Sequence, residues 1–305
     1  MLNARITRIS EEPFAVMFAS ISVVLTLVAL VLLGILTTIF SATVLPTISG
    51  SIIGAFIALI ILVVVGGFIC DFLYGYLVAK IYNLLVTKYV GIQVELTDGG
   101  KLKEIDAIHT STIVGAITAV LSLIIMIVLM SVLMLMTSGV SVLASIGTEI
   151  TNATALTGAE AAVPMVGLFS ILLIVIVAIC SFVLSFISTA ICCWIFNKLA
   201  ERECPTELEL VGNKNEGYEI KSINVESFLK SFGLAYVLTN VIISCVTNLF
   251  SAVLLSEGIL DTILGIVFGL ILGLITIAIM VYVYNYLTEK ISGISFETGS
   301  IEIED

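Results

Sequence analysis

Charged residues are scarce in this sequence. Asp, Glu, Lys and Arg make up 11% of its 305 residues, whereas 60% are hydrophobic and the mean hydropathy is +1.24. Soluble globular domains carry roughly 25% charged residues. The shortage of charge therefore excludes an ordinary soluble domain and predicts an integral membrane protein.

The residues and motifs of common enzyme sites are also missing. The only histidine is His109, and no phosphate-binding GxxxxGK[ST], HExxH, nucleophile-elbow or dinucleotide-binding pattern occurs. The Cys192-Cys193 doublet has no second Cys or His pair at the spacing of metal ligands. We therefore expect no enzymatic activity, no metal and no cofactor.

Long uncharged runs are what the sequence does contain. Six of them reach the ~20 residues that are needed to cross the hydrocarbon core of a bilayer. We expect each run to be a helix, because isolated strands would leave backbone groups without hydrogen bonds in lipid. The runs are roughly 15–40, 52–79, 112–136, 165–195, 228–255 and 262–287.

Lysine and arginine are absent from three of the five connections between these runs. All twelve lie near the N-terminus, in the second-to-third or fourth-to-fifth connection, at the ends of the flanking runs, or after the last run. The positive-inside rule then predicts a multi-pass protein of the cell membrane with both termini in the cytoplasm.

The predicted cytoplasmic side is nevertheless acidic. Five of the 23 acids lie within or beyond the membrane, namely Asp71, Glu149, Glu160, Glu257 and Asp261. The other 18 and all twelve cations are on the cytoplasmic side, so its net charge is −6. We expect a face of this sign to bind neither nucleic acid nor anionic lipid.

An aromatic–Asn pair occurs at three places, each at the end of a long apolar run. A cation follows each Asn by five residues and a Glu follows it by twelve. This constant spacing predicts an internal triplication, with repeats at 1–98, 99–212 and 213–305, the second containing a long outer loop at 137–164. The pairs are Tyr82-Asn83, Phe196-Asn197 and Tyr284-Asn285.

Short segments of alternating polar and apolar residues flank the runs and predict strands. Each repeat opens with such a strand, followed by a residue suited to cap a helix, which is Ser10, Asp106 or Asn224. The expected fold is a mostly α membrane protein. Its six transmembrane helices form three two-helix repeats about a pseudo-threefold axis, with a small cytoplasmic β-sheet or barrel of six or seven strands from every repeat.

One carboxylate, Asp71, falls inside a predicted membrane helix, about 18 Å along the helix from Asn83 at 1.5 Å per residue. The first helix of each repeat has a small or polar residue that is expected at a comparable depth. These residues are Thr26, Ser122 and Asn240. An intramembrane carboxylate either serves an ion, a proton or a substrate, or is held by hydrogen bonds to such neighbours. The sequence leaves both interpretations open.

Two local patterns add further predictions. Gly265, Gly269 and Gly273 lie on one helix face and predict a close helix crossing. Asn152-Ala-Thr154 is a glycosylation sequon on the predicted outer side.

The motif of the first and third repeats resembles a known family. Its residues are Tyr82-Asn83, Gly91-Ile92 and Glu95, and again Tyr284-Asn285, Gly293-Ile294 and Glu297, whereas the middle copy has Phe196 and Cys204-Pro205. This pattern resembles the family of small prokaryotic transmembrane domains of unknown function numbered 3566. The resemblance implies three copies across the whole chain and no assigned activity, and it implies that a single-copy relative forms a trimer of this shape.

Two classes of function remain. A structural or scaffolding membrane protein would bind protein partners in an envelope complex through its acidic cytoplasmic sheet and its outer loop. A channel or secondary transporter would instead use Asp71 and the polar helix face. In both interpretations the chain lies in the lipid bilayer and binds no nucleic acid.

Overall fold

A computed structural model describes residues 2–44, 58, 60–88, 91–97, 100–149, 162–202, 205–213, 217–255 and 259–300. Within these ranges the chain forms six long helices and six strands. The helices are α1 (Glu11–Val44), α2 (Ile60–Val86), α3 (Ala107–Glu149), α4 (Ala162–Glu201), α5 (225–255) and α6 (Ile259–Thr288). The strands are β1 (Leu2–Ile9), β2 (Gln93–Leu96), β3 (Lys101–Ile105), β4 (Thr206–Asn213), β5 (Gly217–Ile223) and β6 (Ser295–Ser300).

Each of the six helices is long and apolar enough to cross a membrane. Short π-helical segments interrupt two of them, at Val63–Gly67 in α2 and Leu229–Gly233 in α5. Large aliphatic side chains such as Leu36, Leu62 and Leu184 are more than 60% exposed, which is the surface that lipid would cover. The predicted mostly helical fold with six membrane-spanning helices is therefore confirmed in its helix content and apolar character.

The connection between α3 and α4 is shorter than the loop predicted at 137–164. Helix α3 continues to Glu149 and α4 begins at Ala162. The prediction rested on Ser, Thr, Ala and Gly, but Ala favours helices and an isolated Gly costs only about 1 kcal/mol relative to Ala. Pro164 is the third residue of α4, and proline is tolerated in the first turn because no helical N–H bond is lost there.

The six strands form one antiparallel sheet, which confirms the predicted small sheet. They pair in the order β1-β2-β3-β4-β5-β6, and β6 also pairs with β1. Strands that lead into a helix alternate in this order with strands that follow one. The buried side chains of the sheet include Ala4, Leu96, Ile105, Thr206 and Phe296.

The chain divides into two compact units, of which the first comprises residues 1–110 and 190–305. This unit contains the sheet, and in it α1 packs against α2 and α6. A Cβ added to Gly75 of α2 would lie 3.1 Å from the Cα of Ala15. Small residues therefore allow these two helices to pack closely, as expected for helices in lipid.

The second unit is Ser111–Thr189, which holds most of α3 and α4. A Cβ on Gly115 would lie 3.2 Å from the ring of Phe182. Three positions further along each helix, the hydroxyls of Thr118 and Ser185 are hydrogen-bonded at 3.0 Å. The small and polar residues of α3 thus pack against α4 within this unit.

The predicted glycine face of α6 makes no comparable contact in the described part of the chain. A Cβ on Gly265 or Gly269 would meet no atom within 4 Å, and one on Gly273 would only touch the Tyr236 ring at 3.9 Å. The prediction of a close crossing there was wrong for this chain. Glycines permit a close approach of two helices but provide no attraction between them.

Candidate functional site

The side chains of Asn83, Asn197 and Asn285 all make the same pair of hydrogen bonds. Each amide oxygen accepts the backbone N–H of an isoleucine at 2.8–3.0 Å, and each amide nitrogen donates to the carbonyl of that same isoleucine at 2.7–2.9 Å. A side-chain amide thereby takes the place of the peptide group of a neighbouring strand. The isoleucines are Ile9, Ile105 and Ile223, the last residues of β1, β3 and β5.

A helix begins directly after each of these junctions. The next residue, Ser10, Asp106 or Asn224, donates its backbone N–H to a carbonyl of the adjacent strand at 2.9–3.0 Å. The side chains of Asp106 and Asn224 also accept N–H groups from the first helical turn, as an N-cap does. The asparagines therefore bond to the chain at the point where it turns from the sheet into a helix.

The aromatic residue before the asparagine adds a third bond in two of the three places. The Tyr82 hydroxyl donates to the Ile6 carbonyl at 2.8 Å, and the Tyr284 hydroxyl donates to the Ile220 carbonyl at 2.7 Å. Both tyrosines are buried, as is Phe196, which has no hydroxyl with which to make this bond. Phe196 instead packs 5.0 Å from the ring of Phe232.

Close backbone contact explains the glycine that follows two of the aromatic–Asn pairs. A Cβ on Gly91 would lie 2.2 Å from the Ile6 carbonyl oxygen, and one on Gly293 would lie 2.3 Å from that of Ile220. A side chain at either position would force the strands apart. Counted from the asparagine, Pro205 holds the same position in the middle segment, which is therefore built differently.

A buried pair of hydroxyls occurs beside this middle segment. Thr206 and Ser231 are 1% and 0% exposed, and their hydroxyl oxygens are 2.5 Å apart. Ser231 lies in the π-helical part of α5 and also donates to the Ser227 carbonyl at 2.8 Å. The sequence did not predict this pair, because nothing in the spacing of single Ser and Thr residues marks them as partners.

The first turn of α3 contains the only histidine. The Asp106 carboxylate accepts the N–H groups of Ile108 and His109 at 2.9 Å, and lies 2.7 Å from His109 Nδ1. Burial raises the pKa of Asp106, but the backbone and ring hydrogen bonds from His109 outweigh burial and bring that pKa below its ordinary value. This arrangement stabilises the start of helix α3.

The intramembrane polar candidates are not joined by hydrogen bonds in the described part of the first unit. The Asp71 carboxylate, which is half-buried in α2, bonds to neither Thr26 nor Asn240. Thr26 instead donates to the Ser22 carbonyl and Asn240 to the Tyr236 carbonyl, both within their own helices at 2.8 Å. Ser122 is half-buried in the second unit.

Two further predictions concern glycosylation and metals. Asn152, the predicted glycosylation residue, lies outside the described residues. Among the described residues, no group of three or more His, Cys, Asp or Glu side chains is arranged to hold a metal ion.

Comparison of the chain with protein-family models, with curated proteins and with solved structures found no match in any of the three. The polar groups of the aromatic–Asn pairs bond to backbone groups of the same chain. These hydrogen bonds hold the strands to the helices.

Proposed function

We propose that this chain is a scaffolding protein of the cell membrane, in which a sheet on the cytoplasmic side binds protein partners of an envelope complex. The observation that supports the proposal most directly is the common bonding of Asn83, Asn197 and Asn285 to strand ends. The amide groups of these three asparagines are bonded to the backbone of strand ends and therefore serve the structure of the chain itself. A sheet held to several helices in this way is a rigid platform.

The same bonds support the proposal that the chain is a tandem triplication about a pseudo-threefold axis. Each of the segments 1–98, 99–212 and 213–305 has a strand, a helix pair, an asparagine bond and a second strand in the same order. The resemblance to the prokaryotic transmembrane family numbered 3566 belongs to this proposal. A cytoplasmic position of the sheet and of both termini follows from the positions of the cations.

Recovery of a complex from native membranes tests the scaffolding role. Glu104 and Glu209 are exposed on the sheet, and replacing both by Gln removes two charges from the proposed partner surface. We expect the wild type to be extracted in mild detergent as a complex of defined stoichiometry, which Glu104→Gln/Glu209→Gln loses.

A matched control removes the same charge elsewhere. Glu12 and Glu289 are exposed but lie outside the strands, so Glu12→Gln/Glu289→Gln is expected to retain the complex. Loss of the complex in the control, or its full retention in the sheet variant, would contradict a partner surface on the sheet.

Transport by way of Asp71 is the second candidate, and one specific observation favours it. The π-helical segment Val63–Gly67 ends four residues before this half-buried carboxylate, and π-helical turns occur frequently at functional sites. The test is proton, sodium and potassium flux into vesicles that contain the purified protein. Flux that depends on the protein and is lost in Asp71→Asn would favour transport, whereas equal flux with and without protein would favour the scaffold.

A further inference from the structure

The cytoplasm-proximal ends of α2, α4 and α6 share one pattern of burial. Counted from the motif asparagine, the residues at −4, −1 and +3 are buried in all three helices, and those at −3, +1 and +5 are exposed. Because residues four apart lie on one helix face, the exposed positions form a continuous stripe on each helix. We call these nine residues the boundary stripe: Lys80, Leu84 and Lys88; Trp194, Lys198 and Arg202; Tyr282, Tyr286 and Lys290.

The composition of the boundary stripe is unlike that of the rest of these helices. It contains five cations, three aromatic residues, one leucine and no acid, and it includes the only tryptophan of the chain. Lys and Arg together with Trp and Tyr are the residues enriched at the level of lipid headgroups. Trp194, Tyr282 and Tyr286 are each more than 60% exposed, so their rings are available to lipid.

The boundary stripe also lies at the depth expected for lipid headgroups. The membrane-spanning segments end at Val86, Glu201 and Thr288, one or two residues before the cations at +5. The nine residues from −3 to +5 extend for about 12 Å along the helix axis. That length covers the headgroup region on one side of a bilayer, which is roughly 5–7 Å thick when the ~30 Å core is subtracted from the full bilayer.

The three cations at +5 make no ion pair with a described residue. Lys198 is paired with Glu201 at 2.9 Å, and Lys80 lies 5.6 Å from the centre of the Tyr76 ring. Lys88, Arg202 and Lys290 are exposed just beyond the helix ends, and nothing in the described part of the chain neutralises their charge.

We propose that the boundary stripe binds the phosphate groups of anionic phospholipids in the facing leaflet, with Lys88, Arg202 and Lys290 as the principal contacts. The proposal corrects the expectation that an acidic cytoplasmic side excludes anionic lipid. Charge is sorted by position: six of the acids lie on the strands, whereas all the charged residues of the boundary stripe on α2, α4 and α6 are cations. Glu226 of α5, near the same level, is paired with Lys230.

The test is lipid retention by the full-length protein, purified in a neutral detergent and given equal amounts of phosphatidylglycerol and phosphatidylcholine. Native mass spectrometry counts the lipids that remain bound. We expect the wild type to retain the anionic lipid preferentially. Removing one cation near a membrane surface weakens the binding of anionic lipid about five-fold, so Lys88→Gln/Arg202→Gln/Lys290→Gln should show no preference between the two lipids.

The control removes three cations from strands, as Arg8→Gln/Lys103→Gln/Lys221→Gln, and is expected to keep the wild-type preference. Equal loss of preference in this variant would show that only net charge matters and would overturn the proposal. If the triple stripe variant does not fold, each single substitution is measured, with about a five-fold loss expected from each.

A free-phosphate arm distinguishes lipid from a soluble anion. Inorganic phosphate at the lipid concentration is expected neither to displace phosphatidylglycerol nor to raise the thermal midpoint. Displacement by inorganic phosphate, or equal retention of both lipids by the wild type, would contradict an anionic-lipid surface. This inference rests on the membrane position of the helices and stands apart from the choice between scaffold and transporter.

Discussion

At the scale of single residues, the repeated asparagine is explained by the geometry of its amide. A primary amide presents a carbonyl acceptor and an N–H donor side by side in one plane, as a peptide strand does, and its second N–H remains available for another bond. It therefore bonds to both the N–H and the C=O of Ile9, Ile105 or Ile223. Aspartate would have no donor for the carbonyl, and alanine would have neither group.

The glycine at +8 from this asparagine gives a sharp prediction. Gly91→Ala would place a Cβ 2.2 Å from the Ile6 carbonyl oxygen, and the strands would have to separate. We expect this substitution to lower the thermal midpoint and to reduce the free energy of unfolding by at least about 1 kcal/mol. Gly269→Ala is the matched control, since its Cβ would meet no described atom within 4 Å. An equal midpoint for both variants would refute the close contact.

The Asp106 cap predicts a pH dependence of stability. Since the folded-state pKa of Asp106 is below its ordinary value, the unfolded chain binds the proton first as the pH falls. The stabilisation is complete above the unfolded pKa of about 3.9 and is lost as the pH falls through the lower folded pKa. Asp106→Asn keeps a capping oxygen but does not titrate.

The measurement for Asp106 is the thermal midpoint of wild type and Asp106→Asn from pH 7 to pH 3. We expect the wild type to be the more stable at neutral pH and the difference to shrink below about pH 4. A difference that stays constant over this range would show that the Asp106 charge contributes nothing to folding.

At the scale of secondary-structure elements, the strands of the middle segment are joined less extensively than the others. Strands β3 and β4 pair at two positions, Lys101 with Glu207 and Leu102 with Thr206, whereas β1 and β2 pair at four. The same segment has Phe196 where the others have a tyrosine that bonds across to a strand. The hydrophobic contacts of Phe196 with Phe232 and Ile105 are what hold it in place.

Removing the hydroxyl of Tyr284 should weaken the attachment of its helix to strand β5, as in the middle segment where Phe196 has no hydroxyl. In Tyr284→Phe the Ile220 carbonyl loses a 2.7 Å hydrogen bond, for an expected cost of about 1 kcal/mol. Amide hydrogen exchange of β5 and β6 should become faster. Tyr282→Phe is the control, because that side chain is 63% exposed and has no described hydrogen bond. Faster exchange in the control, or unchanged exchange in Tyr284→Phe, would argue against the bond.

At the scale of the whole molecule, the sequence predicted the helices, the sheet and the residues at which strands turn into helices. Hydrophobic length and caps such as Asp106 are local properties, so a sequence displays them directly. The partners of the asparagines were not predicted. Asn197 and Ile105 are 92 positions apart, and only the folded chain brings them together.

Helix faces inside the membrane are the part of the fold that the sequence determines least. Hydrogen bonds from Asp71 to residues such as Thr26 and Asn240 were one of two interpretations that the sequence left open, and each of these two residues bonds within its own helix. Gly269 was expected at a helix crossing, and a Cβ added there would meet no described atom within 4 Å. In lipid, apolar surface does not force helices together, so depth along a helix does not determine which face meets which.

The three asparagines have the same structural role, and one series of variants tests this claim. The thermal midpoints of Asn83→Ala, Asn197→Ala and Asn285→Ala are compared with that of Asn240→Ala, whose side chain is exposed and bonds within its own helix. We predict that each of the three substitutions lowers the free energy of unfolding by about 1–3 kcal/mol, because the N–H and C=O at a strand end lose their partners. We predict almost no change in Asn240→Ala. A neutral effect at any one of the three positions, or a loss of the same size at Asn240, would contradict the claim.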